Sequence, residues 1–151
     1  MKKTERIGMV RRVVETHERR KAEALAACEK NVLAAQAKLD ELEAYRAAYV
    51  RDFTRRAGSG MNGAGVREYQ VFLSRLDEAL RHQAHTLSQV RLQRTAELES
   101  WRDAARRAAA VGNLATHWQE EERLAADRIE QKESDERSQQ LWSRRTIVHG
   151  S

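Results

Sequence analysis

Four of the chain's seven glycines fall in one stretch, Ala57-Gly58-Ser59-Gly60-Met61-Asn62-Gly63-Ala64-Gly65-Val66, in a protein of 151 residues with no proline. Each glycine costs a helix about 1 kcal/mol relative to alanine, so four so close together end one. On either side the sequence reads as helix for more than forty residues without a comparable break. The stretch therefore reads as the apex of a helical hairpin whose two arms fold back on each other. All five tyrosines and phenylalanines lie within about three turns of it: Tyr45, Tyr49 and Phe53 before, Tyr69 and Phe72 after.

Composition narrows the fold further. Charged residues make up 34% and aromatics 5% of the chain, too few large apolar side chains for a three-dimensional core. Long helices that bury one narrow seam fit this profile. On the first arm Leu25, Cys28, Val32, Ala35, Leu39, Leu42, Tyr49 and Phe53 recur at spacings of three and four, with Arg46 filling one slot. The same heptad extends back through Lys21, Glu18, Val14, Arg11 and Ile7, and Val10 and Val13 beside it are expected to take over by a small rotation. The second arm repeats the pattern through Tyr69, Leu73, Leu76, Leu80, Gln83, Leu87, Val90 and Arg94, then Leu98, Trp101, Ala105 and Ala108, and returns with Trp118, Ala125 and Ile129. The expected fold is all-α: one elongated antiparallel two-helix coiled-coil hairpin over 1–151. Its helices span 4–56 and 67–140, its turn 57–66, and a frayed tail 141–151 follows. Gly112-Asn113 is a candidate kink.

The arms are unequal, about 80 Å and 110 Å at 1.5 Å per residue. Folding about residue 61 brings Thr4 level with roughly Trp118, so a charged stretch of the second helix projects beyond the first. Such an overhang suits insertion into another body.

Little in the sequence supports chemistry. His82 and His85 share a helix face, but no cysteine or carboxylate nearby completes a metal set, and they read as surface residues. Cys28, the single cysteine, occupies a seam slot as a small hydrophobe and suits a reducing compartment. Gly58-x-Gly60-x-x-Gly63 matches the dinucleotide fingerprint by letter, yet a helix precedes it where that fingerprint needs a strand. A two-helix hairpin offers no pocket that excludes water. The expectation is a non-catalytic protein without cofactor or metal. The formal charge of +5 arises from intermixed signs, which read as a solvated helix surface and not a nucleic-acid footprint. No apolar run approaches a membrane span and no signal-peptide region follows Met1, so a cytoplasmic protein is expected.

Near the apex, Phe72 and Ala79 lie off the second seam and form a stripe with Leu76 at i, i+4 and i+7, while Tyr45 lies off the first. A two-helix seam buries one narrow stripe per helix, so Tyr45 and Phe72 are expected to be partly exposed. Grouped exposed apolar residues mark a docking surface. The competing reading is a locally widened seam that buries them.

The order and spacing of Leu42-x-x-Tyr45-x-x-x-Tyr49, a glycine-bearing turn and Tyr69-Gln70-x-Phe72-x-x-x-Leu76-x-x-Ala79 resemble the flagellar export FliJ family. So do Ser100-Trp101-Arg102 and the segment 113–132 ending Arg128-Ile129-Glu130-Gln131-Lys132. The resemblance covers roughly residues 5–140. It implies a two-helix coiled coil similar to the central stalk of rotary ATPases, a soluble component of the flagellar type III export apparatus. Implied partners are the hexameric export ATPase, whose assembly and activity it promotes, the membrane export gate and export chaperones. By the same resemblance Leu42, Tyr45, Tyr49, Phe72, Leu76 and Ala79 form the gate-contacting surface, and the overhang after Trp118 enters the ATPase ring. The family pattern favours a glutamine one turn before Leu42 and a histidine one turn after Ala79, where this chain has Lys38 and Gln83, with His82 adjacent. The stalk protein of a virulence type III secretion system shares the architecture, and a homodimeric scaffold or basic nucleic-acid-binding coiled coil is the alternative from another class. A stalk is expected to be monomeric in isolation, its seam satisfied internally.

Overall fold

A computed structural model describes residues 1–149 and consists of two helices, α1 (Lys3–Gly58) and α2 (Gly63–His149), joined by residues 59–62. It is the expected all-α antiparallel hairpin, with the second helix the longer at 87 residues against 56. Both ends of the turn are set by local hydrogen bonds. The last carbonyls of α1 accept from Ser59 N (to Arg56 O, 3.2 Å) and Gly60 N (to Ala57 O, 3.3 Å), and Gly60 takes the left-handed φ of 95° that reverses the chain without a Cβ clash. Arg55 and Arg56 lie in the last turn of α1, where cations complement its dipole. Asn62 then caps α2: its side-chain oxygen accepts from Gly65 N at 2.8 Å. This cap starts α2 at Gly63, earlier than the periodicity alone placed it, and shortens the turn from 57–66 to 59–62.

The contacts divide the chain into two units. In the unit of Glu18–Ala104, the heptad positions meet across the hairpin as the spacing predicts. Val32, Ala35 and Leu87 form a buried cluster flanked by Leu39 and Val90, with Leu76 and Ala104 also buried. Three polar struts cross between the helices here: Arg46 to Asp77 at 2.6 Å, Gln83 to the Ala35 carbonyl at 3.0 Å and Arg91 to Gln36 at 3.0 Å. One carboxylate oxygen of Glu97 is shut from solvent without a hydrogen-bond partner.

The unit of Met1–His17 with Ala105–Ser151 has a thinner seam, burying Ile7 with Ala108 and Ala115. Arg11 lies over Gly112, where an added Cβ would meet its guanidinium at 3.6 Å. Gly112 leaves α2 unbroken, and its helical carbonyl accepts the Thr116 hydroxyl at 2.9 Å. The heptad through Ile7, Arg11 and Val14 holds the seam, so Val10 and Val13, expected to take it over, stay exposed. Lys3 Nζ stands 4.0 Å over the Trp118 ring and Lys2 reaches Glu122 at 3.4 Å, matching the expected level of the amino terminus.

From Gln119 to Val148 every residue is exposed, and the helix nevertheless continues to His149. The frayed tail expected from residue 141 is therefore helical as far as His149, while Gly150 and Ser151 lie outside the described residues. Absence of hydrophobic periodicity removes the reason to pack, not the local preference for helix: 120–149 contains no glycine or proline and is rich in strong helix formers. Arg123 adds a clamp, bonded to Glu120 at 2.6 Å and to Asp127 at 3.0 Å. Its hydrogen bond and charge hold the Glu120 carboxyl below its ordinary value.

Candidate docking surface at the bend

The rings near the turn form one ladder. Tyr69 stacks on Phe53 with centroids 3.7 Å apart and on Tyr49 at 4.7 Å. Phe72 leans on Tyr49 at 4.6 Å, and Tyr45 completes the outer end, 6.3 Å edge-on from Phe72 and 6.5 Å from Tyr49. Heptad spacing explains it: Tyr49 and Phe53 are seam residues four apart on α1, Tyr69 is the first seam residue of α2, and Phe72 and Tyr45 flank the seam on one side. Aromatic pairs packed inside the hairpin add about 0.5–1.5 kcal/mol each beyond area burial, whereas the outer, water-exposed contacts of Tyr45 add less.

Of the six residues expected here, the ladder brings together Tyr45, Tyr49 and Phe72. Tyr45 is 53% exposed and Phe72 half-buried, so the outer edge faces solvent while its inner face belongs to the hairpin. Leu42 and Ala79 are half-buried, and Leu76 is only 7% exposed. Leu76 thus supports the surface from the seam and offers little area of its own. Beside Phe72, Val71 is exposed and lines a shallow depression with Arg67, Glu68, Phe72 and Arg75. Sequence reasoning passed over Val71, whose only signal is its place next to Phe72 off the seam. It also left Arg46 as a polar filler of a seam slot. The structure gives that slot a partner, and the hydrogen bond to Asp77 raises the Arg46 pKa above its ordinary value.

The surface holds aromatic rings beside the Arg46–Asp77 ion pair. Its rings and one ion pair offer apolar area and a fixed shape, which are the means of protein docking. Among the described residues no three His, Cys, Asp or Glu side chains gather as a metal site, and no helix is long and apolar enough to cross a membrane.

The family model described as Flagellar FliJ protein matches residues 2–146, nearly the whole chain. The chain belongs to the FliJ family. Its members are non-catalytic components related to flagellar export, and the two-helix fold fits that description. The chain matches no curated protein and no solved structure.

Proposed function

We propose that this FliJ-family chain is a coupling protein of the flagellar type III export apparatus, working at the cytoplasmic face of the membrane. It inserts into the hexameric export ATPase, promotes ring assembly and hydrolysis, links the ring to the membrane export gate, and associates with export chaperones. The observation that carries the reading is the helix of α2 after Trp118, which stays helical although every residue from Gln119 to Val148 is exposed. A preformed helix enters a ring without the ordering entropy that a disordered tail would lose on binding. The aromatic edge of Tyr45 and Phe72, with Val71 beside it, is the surface for the gate.

The test is the hydrolysis rate of the cognate export ATPase with and without the chain. Stimulation at less than one chain per ATPase protomer, with rings appearing, is the expected result. A chain truncated after Trp118 keeps the residues that pack in the hairpin and is expected to stay helical and lose stimulation. Stimulation by the truncated chain at the full level would refute insertion through the overhang.

A further inference from the structure

The unit containing both chain ends carries an apolar stripe that begins beside the hairpin and continues onto the helix after Trp118, the part proposed to enter the ring. On α2 it runs through Val111, Leu114, Trp118, Ala125 and Ile129, at spacings that keep one helix face. Val111 and Trp118 are half-buried, Leu114 is exposed, and Ile129 is 61% exposed. The Lys3–Trp118 contact puts α1's flank on the same side. Val10, two turns beyond Lys3, and Val13, 68% exposed, widen the patch there.

Charge divides this stripe in two. Residues 2–17 with 105–118 hold seven lysines and arginines against two acids, whereas residues 119–136 hold eight acids against three bases. A stripe whose first half lies in basic surroundings and whose second half lies in acidic ones complements itself when turned end for end.

We propose that two copies of this chain associate antiparallel through the stripe, about a two-fold axis near residue 120. Each acidic overhang then lies along the basic flank of the other copy. Ile129 of one copy meets Val111 of the other, Ala125 meets Leu114, and both Trp118 rings stand near the axis. An isologous contact of this kind closes at two and does not propagate. Trp118 keeps its contact with Lys3, and the buried Ile7, Ala108 and Ala115 take no part, so each copy stays folded as it is. The inference goes beyond the coupling role and departs from the monomer expected of an isolated stalk: the dimer covers the overhang, and dimer and partner compete for it.

Sedimentation equilibrium of the full chain across salt is the first measurement. Attraction between opposite surface charges weakens as the Debye length shrinks, so the dimer is expected to dissociate at least about tenfold more readily at about 0.5 M salt than at about 0.05 M. Ile129→Glu, at a position with no packing role within one chain, is expected to shift dissociation by at least about tenfold as well. In a Cys28→Ser background, Glu121→Cys near the axis is expected to give a disulfide-linked dimer on mild oxidation. Asn113→Cys, on the opposite flank of α2, is expected to stay monomeric. A chain monomeric at every salt concentration overturns the proposal. So does a dimer indifferent to Ile129→Glu, or equal cross-linking at Asn113. A monomer that instead co-sediments with vesicles of anionic phospholipid, and loses this with Val13→Glu, would assign the flank to a lipid surface and likewise overturn it.

Discussion

Tyr45 and Phe72 stand 6.3 Å apart at the edge of one aromatic ladder, yet their substitutions should separate stability from binding. Phe72 is half-buried against Tyr49, so Phe72→Ala is expected to lower stability by about 2 kcal/mol. Tyr45 is mostly in water, so Tyr45→Ala is expected to stay within about 0.5 kcal/mol of the parent in thermal melts. If the outer edge is the gate surface, Tyr45→Ala weakens gate binding in titration calorimetry while the melt is unchanged. Gate affinity equal to the parent's would exclude Tyr45 from the surface. Gly112 offers the opposite kind of test. It sits inside α2, and the nearest atom to a new Cβ is a movable guanidinium nitrogen at ordinary contact distance. Gly112→Ala should therefore gain about 1 kcal/mol of helix propensity and raise Tm by about 2–4 °C. A lower Tm would mean that Arg11 cannot move aside.

Among the elements, the hinge depends on Asn62. Its oxygen satisfies one of the donors that a helix start leaves open, so Asn62→Ala is expected to cost about 1 kcal/mol and to fray the first turn of α2. Amide chemical shifts of residues 63–66 unchanged in the variant would show that the cap is dispensable. The cap also marks where sequence reading stopped. The seam was legible, down to Glu18, Lys21 and Arg94 in its polar slots, because heptad position is repeated many times and one odd residue does not hide it. Helix ends are decided by one or two hydrogen bonds, and four nearby glycines drew attention away from the asparagine among them. Periodicity ends near residue 140 and predicts a frayed tail there, but an unpacked helix needs only local propensity and pairs such as Arg123 with Asp127. Side-chain polarity alone favours Val10 and Val13 over Arg11 for the seam. Arg11, its guanidinium lying over Gly112, holds that slot instead. At the candidate surface the types and positions of the rings were legible, but the burial of Leu76 and the exposure of Val71 depend on the rotation of each helix about its axis, which spacing alone fixes only to within a residue.

For the molecule as a whole, the two units differ in what their seams contain. Leucines, valines and the aromatic ladder fill that of Glu18–Ala104, whereas the buried residues of the other are Ile7, Ala108 and Ala115. Burial of a large aliphatic side chain contributes about 1.5–3 kcal/mol and alanine far less, so local opening should require much less free energy at residues 3–17 than at 32–39. Native-state hydrogen exchange is expected to show amides of residues 3–17 opening at least about tenfold more often than those around Val32 and Leu87. Equal protection in both would mean that the hairpin opens only as a single cooperative whole. Held by so thin a seam, residues 3–17 can lift from α2 while the seam around Val32 and Leu87 stays closed, so the chain end opens like the free end of a zip whose teeth are coarser there.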